Sequence, residues 1–327
     1  MLRVIWVAGL LSLLSPFSGI AGAHDARAQT YPNRPVKLVT PSGAGGPTDL
    51  LARVIADALS AELGQRFIID NKPSAGGVVA GETVANAPKD GYTLLYANSS
   101  TQSINPALYP SMPYDPAVAL IPVIHVSVTP MMMVVHPSFP AKTVQDLLAY
   151  DRANPGKLNF GHAGAGTLPH LVFEMFRLAT KIHAVPVAYN GGAASLQALV
   201  AGEVPVTFET VPLLLPRVQA GLVRPLAVTS KARHPDLPDV PTMAEVGYPE
   251  VVALSWTGLV APAGTPPEIV NLLNAKLNAD FQKPELRDKM KTLGAELKGG
   301  TPADFAAWIA EERGRWTRVV KESGATP

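Results

Sequence analysis

The chain of 327 residues contains no cysteine. That absence removes disulfides, thiolate catalysis, cysteine-based metal sites and a lipid-modified N-terminal cysteine together. Charge is scarce as well: Asp, Glu, Lys and Arg make up 16% of residues, and 27 basic against 26 acidic side chains leave a formal charge of +1. Nothing in this balance favours nucleic acid or an anionic membrane as partner. Enzyme signatures are also missing. A hydrolase would show a Gly-x-Ser-x-Gly elbow, which does not occur, and Gly43-x-Gly-Gly-Pro lacks the Gly-x-Gly-x-x-Gly spacing of a dinucleotide enzyme. No paired carboxylates share a motif. His162 and His170 lie eight residues apart across a loop and helix start, a spacing that fits no familiar metal site. The reading is therefore of a protein with no catalytic residue, no metal and no cofactor.

Long apolar runs are absent apart from Val4–Leu14, which follows Arg3 and leads through small residues to Ala26-Arg27-Ala28. This pattern is that of a secretory signal peptide over residues 1–28, too short to span a membrane. Cleavage is expected before Gln29, and Ala21-Gly22-Ala23 offers a second cut, before His24. Removing Arg3, Asp25 and Arg27 leaves a formally neutral chain. A soluble exported protein, monomeric and without nucleic-acid or membrane binding, is the expectation.

What the chain does have is length, proline and glycine. It exceeds the size at which one core usually stops growing, so two lobes are expected. The 32 prolines and 47% hydrophobic content suit an ordered fold with many short connections. The stretch Leu38–Ile55 reads as a buried strand that breaks on glycine and restarts as a helix. Leu50, Leu51, Val54, Ile55, Ala58 and Leu59 recur at helical spacing, with Pro47 at the first helical position. The glycines before that helix expose amides which, with the positive end of the helix dipole, suit a carboxylate or phosphate. A tight turn needing glycine only for its backbone angles explains this loop equally well.

The design recurs along the chain. Strands at Phe67–Asp70 and Tyr92–Ala97 alternate with helices, and the third strand stops at Asn98-Ser99-Ser100-Thr101. Residues 102–130 are punctuated by proline and resist assignment, and a strand is expected to leave the first lobe at Met131–Val135. Strand Lys157–Phe160 enters Gly161-His162-Ala163-Gly164-Ala165-Gly166-Thr167 before a helix from Leu168. Strand Ala184–Ala188 leads into Tyr189-Asn190-Gly191-Gly192 and another helix, and strand Val204–Phe208 reaches Glu209-Thr210. Alternating strands and helices imply an α/β fold with parallel sheets, in which ligands lie beyond the carboxyl ends of strands. A strand at Leu254–Val260 returns toward the first lobe, and a last helix starts at Thr301 as its cap. Two crossings between lobes give 29–130 and 253–327 to the first lobe and 131–252 to the second. Trp256 is equally suited to stacking on a ligand or packing at the returning crossover.

Several motifs now stand in a fixed order. They include Tyr31-Pro-x-Arg-Pro, Pro41-x-x-x-Gly-Gly-Pro-Thr-Asp49, Asn71-x-Pro-x-Ala-Gly-Gly77, Asp90-Gly-Tyr-Thr-Leu-Leu95 and Pro113-Tyr-Asp-Pro116. Pro155-Gly-Lys-Leu-Asn159, Tyr189-x-Gly-Gly-Ala193, Leu226-Ala-Val-Thr-Ser230, Leu237-Pro-Asp-Val-Pro-Thr242 and Ala261-Pro-Ala-Gly-Thr-Pro266 follow. In this order they resemble the Bug-type extracytoplasmic solute receptors of tripartite tricarboxylate transporters, over the whole mature chain. The resemblance implies a two-lobed periplasmic-binding-protein fold of type II that closes on a small carboxylate, such as a di- or tricarboxylate, an acidic amino acid or an aromatic acid. It also implies delivery to a permease of two membrane subunits. A ligand-binding partner of a membrane sensor would look the same in sequence, and a secreted hydrolase is the remaining alternative.

By position, the resemblance assigns Ser42, Gly43, Ala44, Thr48 and Asp49 to a first-lobe ligand loop and Asn98, Ser99 and Thr101 to a second. Ala163, Gly164, Gly166, Thr167 and His170 match the main carboxylate-holding loop, with Tyr189, Asn190 and Gly191 beside it. Three positions depart from the family pattern. His162 replaces a small residue, Ala188 a proline, and Glu209-Thr210 an Asp-Asn pair whose aspartate lies near the ligand's amine in amino-acid-binding members. For Asp49, stabilising the dipole of its own helix is already a sufficient role. His162 reads as an ordinary polar loop residue or as a group at the cleft rim that tunes anion affinity with pH.

Overall fold

Val36, Leu38 and Val39 are fully buried in a five-residue strand, and the glycines after it stop the strand before Pro47 restarts the chain as helix. That unit is repeated through most of the chain. The computed structural model describes residues 31–327, so the expected signal peptide and both expected cleavage positions lie outside the described residues. The strands are β1 (Val36–Thr40), β2 (Phe67–Asn71), β3 (Thr93–Asn98), β4 (Leu120–Val135) and β5 (Asn159–His162), then β6 (Val185–Ala188), β7 (Val206–Thr210), β8 (Arg224–Val228), β9 (Leu254–Pro262) and β10 (Glu296–Leu297). The helices are α1 (Pro47–Leu63), α2 (Val78–Ala85), α3 (Asn105–Leu108), α4 (Pro116–Ala119), α5 (Val144–Ala153) and α6 (Leu168–Thr180). After these come α7 (Gly192–Val200), α8 (Val211–Gln219), α9 (Pro267–Asp280), α10 (Pro284–Thr292) and α11 (Pro302–Ser323). No helix among the described residues is long and apolar enough to cross a membrane.

The strands run β2-β1-β3-β9-β4-β7-β5-β6 in one curled sheet, with β8 and β10 also paired to β4. β1 is parallel to β2 and β3, and β5 is parallel to β6 and β7. Between these two parallel sets lie β9 and β4, antiparallel to each other and to their outer neighbours. β4 belongs to both halves. Its Leu120–Pro130 stretch pairs with β9, and its Met131–Val135 stretch pairs with β7 and β8. The strand expected from Met131 thus begins at Leu120, and its prolines concealed this. Pro122 is tolerated because the ladder shifts register beside it, and Pro130 sits where β4 passes from one half to the other. The short elements α10 and β10 were also not anticipated.

The two crossings lie side by side, Pro130 opposite Leu254, and a buried hydroxyl joins them. Thr229 Oγ1 donates to Ala253 O at 2.6 Å and contacts Met131 O and N, each at 3.2 Å. Helix α11 packs on both halves. Phe305 and Ile309 sit in a core with Val39, Leu95 and Val260, whereas Trp316, Val319 and Val320 join Phe160, Phe173, Phe176 and Phe208. Trp256 is 1% exposed and meets the Phe305 ring edge-on at 5.6 Å. It packs at the returning crossover, which answers the choice left by its position in sequence.

Candidate ligand-binding corners

In the first half, the carboxyl ends of β1, β2 and β3 bring three corners into contact. Asn71 at the end of β2 donates its Nδ2 to Ser42 O and to Asp49 Oδ1. A Cβ on Gly77 would fall 2.4 Å from Pro41 Cβ and 2.9 Å from Thr101 Cγ2, so these loops fit only with glycine there, at φ +74. Asp49 is wholly buried in the first turn of α1. It accepts the Gly45 amide at 2.8 Å, Arg53 Nε at 2.9 Å and Asn71 Nδ2 at 2.8 Å. Burial pushes its pKa up, but the bonds from Arg53, Asn71 and Gly45 outweigh this and hold it below the ordinary value. Asn98 and Thr101 bond one another through backbone and side chain, and Ser99 Oγ accepts the Trp256 amide at 3.2 Å. Ser42 Oγ donates to Gly43 O, Thr48 is half-buried, and Gly43 and Ala44 are exposed.

In the second half, three corners again meet, beyond β5, β6 and β7. The Gly191 amide donates to Ala163 O at 3.1 Å, tying the second corner to the first. Thr167, the N-cap of α6, donates Oγ1 to Gly164 O at 2.7 Å instead of capping its helix. Both histidines lie beneath this loop. His162 is 3% exposed, not at a rim, and its ring stacks on His170 at 4.5 Å. Each Nδ1 accepts a loop amide: His162 takes Gly164 at 3.2 Å, and His170 takes Gly166 at 3.0 Å. Such bonds require neutral rings protonated on Nε2. Burial keeps both below the ordinary histidine range, assisted by the neighbouring ring at His162 and by Arg177 at His170. Tyr189 and Gly191 are half-buried and Asn190 is exposed. Glu209 is buried, and its Oε1 has no hydrogen-bond partner.

The two sets of corners are joined by the segment after β3. Ile104 and Leu108 pack in the same core as Leu168 and Leu171, and a Cβ on Gly166 would fall 2.4 Å from Leu108 Cδ2. Of the helices that begin at these corners, α1, α6, α7 and α8 lack a side-chain cap and α2 has only Ser74 Oγ accepting its Val79 amide at 3.1 Å, whereas α5 and α11 have full capping boxes from Thr143 and Thr301. Since α9 and α10 are uncapped too, the trait marks a site only together with the corners. Among the described residues the amides of Gly43, Ala44, Ala163 and Ala165 donate to no acceptor of the chain. First-turn amides of uncapped helices add further donors. Two surface depressions of about 350 and 480 Å³ lie elsewhere, one lined by Pro267 and Pro302 and the other by Lys37 and Asp70. What the corners offer a ligand is therefore their donors. Sequence reasoning passed over Asn71, which fixes the first loop, and Thr207, which donates Oγ1 to Gly161 O at 2.7 Å. The one signal for Thr207 is a polar residue inside the apolar run Val206–Phe208.

A two-lobed α/β protein with uncapped helix starts at the carboxyl ends of its strands has the architecture of solute-binding receptors. Residues 51–325 match the family model described as tripartite tricarboxylate transporter family receptor, and the chain belongs to that family. It is similar to Protein BugT of Bordetella pertussis, 37% identical over 97% of this chain and 98% of that one. An R. palustris structure with adipate is 39% identical and superposes with a TM-score of 0.82 over 91% of this chain and 99% of its own. MatC from Rhodopseudomonas palustris, with bound malate, is 33% identical with a TM-score of 0.77 over 89% of this chain and 100% of its own.

Proposed function

We propose that this protein captures a small carboxylate in the periplasm, between its two sets of corners, and delivers it to the membrane subunits of a tripartite tricarboxylate transporter. The observation that carries the reading is the pairing of uncapped helix starts with unpaired loop amides at the carboxyl ends of both parallel strand sets. Family membership and the dicarboxylates in the two similar structures support it. In this mechanism the ligand bridges the halves, which rotate about the paired crossings at Pro130–Met131 and 253–254. Contacts made only in the closed state then shift the population toward it, and the permease reads the closed shape. A micromolar constant, about −8 kcal/mol, needs only a few charge-assisted hydrogen bonds in a dry cleft. A thermal-shift panel of adipate, malate, citrate, glutamate and benzoate tests the reading. At least one compound should raise Tm in proportion to the logarithm of its concentration. Turnover of a substrate without saturable binding of any of them would favour an enzyme instead.

A further inference from the structure

Strand β7 divides its side chains between two helices. Phe208 faces α6, where its ring meets Phe176 at 5.9 Å and Phe160 at 5.6 Å. Thr207 and Glu209 alternate onto the opposite face, toward α7. Thr207 Oγ1 lies 3.3 Å from Ser195 Oγ, and a Cβ on Gly192 would fall 2.5 Å from Glu209 Oε1. Glu209 therefore lies over the first residue of α7, a nine-residue helix whose N-cap, Gly191, offers no side chain to the first-turn amides. The carboxyl is 5% exposed. Its Oε2 accepts only the Thr210 amide, at 3.2 Å, and Oε1 accepts nothing.

No charge faces this acid. α7, β6 and the β4 stretch opposite it contain no Asp, Glu, Lys, Arg or His. Its ladder partner on β4 is Met132. His162, His170, Glu174 and Arg177 form their contacts with one another on the α6 face, and the one charged residue of α8, Arg217, is in that helix's last turn. A carboxyl so enclosed is disfavoured as an anion. Burial pushes Glu209 up to about 7, with only the Thr210 amide pulling the other way.

The geometry points to Glu209 acting in the ligand site as an uncharged acid that donates its Oε–H to a carboxylate oxygen of the bound metabolite, so that capture of the anion is coupled to uptake of a proton. This inference rests on the reading of the corners as a carboxylate site. The same ligand carboxylate would receive the first-turn amides of α7, donors that an ionised Glu209 would contest. A ligand presenting an ammonium or hydroxyl at this point would instead select the ionised side chain, and its binding would release protons or leave them unchanged.

Calorimetric titration of the protein with adipate at pH 7 and 8, each in two buffers of different ionisation enthalpy, measures the proton count directly. Uptake of about half a proton per adipate at pH 7, rising to about 0.9 at pH 8, is the expected result from simple linkage. Glu209→Gln, which keeps a donor in a neutral isostere, should bind adipate within about threefold of the parent with no proton uptake, whereas Glu209→Ala should bind about tenfold or more weakly. Saturable adipate binding without uptake, or uptake that persists in Glu209→Gln, would overturn the inference while leaving the receptor reading intact. If adipate does not bind but another compound of the thermal-shift panel does, the same titration with that compound carries the test; if none binds, the receptor reading and this inference fail together. In ligand-free protein, carboxyl ¹³C NMR supplies a separate check: Glu209 titrating near 4.5 refutes the uncharged acid, and titration near 7 supports it.

Discussion

Two buried acids, one in each half, have opposite fates. Asp49 lies in the first turn of α1 after a glycine-rich corner, Glu209 lies near the end of β7, and each is almost wholly removed from water. Asp49 receives an amide, a guanidinium and a carboxamide, and its pKa falls. Glu209 receives one amide, and its pKa rises. Burial is therefore no guide by itself to what an acid does; the number of donors supplied by the fold decides it. The first acid is spent on holding its own loop, and the second is left available.

The sharpest way to break this comparison is to remove both acids in turn. Asp49→Ala should lower stability by about 2–3 kcal/mol in urea unfolding, because the Gly45 amide and Asn71 lose their acceptor while half-exposed Arg53 returns to water. Glu209→Gln should be close to neutral at pH 4, increasingly stabilising relative to the parent as pH rises from 4.5 to 7, and constant above that. A carboxyl whose folded pKa is raised to about 7 from 4.5 carries no penalty below 4.5, a growing one between 4.5 and 7, and a constant one above 7. Equal losses in the two variants would end the contrast.

Next in size is the junction between the halves. Thr229→Val deletes the hydroxyl that bridges Ala253 and Met131 and should cost about 2 kcal/mol of stability. If the crossings are a hinge, small-angle scattering should also report a smaller ligand-induced compaction in this variant. Thr167→Ala is expected to weaken carboxylate binding by about 1 kcal/mol, since its hydroxyl holds the Gly164 carbonyl and hence the loop. Unchanged affinity would remove that hydroxyl from the site.

The smallest expected effect concerns His162 and His170. Both have folded pKa values below the ordinary 6.5, so the unfolded chain binds more protons as pH falls through that value. Stability should decline from pH 7 toward pH 5, and His162→Ser should flatten the decline. In ¹⁵N spectra at pH 7, both rings should show an unprotonated Nδ1. A protonated Nδ1 on either ring is incompatible with the bonds from Gly164 and Gly166.

Much of the architecture was legible along the chain. The first strand-glycine-helix corner, the helix starting at Leu168, the Thr301 cap and the return strand at Leu254 all depend on spacing of near neighbours, and all are present. The long strand β4 was half hidden because Pro122 and Pro130 argue locally against a strand, and only the partners β9, β7 and β8 make it one. His162 was misplaced for a related reason. Sequence alternation alone does not say which face of a strand lies under a helix and which faces solvent.

The sequence by itself determined the periodic elements, the glycine corners and the order of motifs that marks the family, because each is written in residues a few positions apart. It also excluded cysteine chemistry, since a missing residue type cannot be supplied by folding. The tertiary structure alone decided which polar groups were satisfied. Asn71 reaches Asp49 from 22 positions away, and Thr229 reaches Ala253 from 24. Hydrogen-bond satisfaction is set by contacts of this range, and so the difference between a structural acid and an available one appears only when the chain is folded.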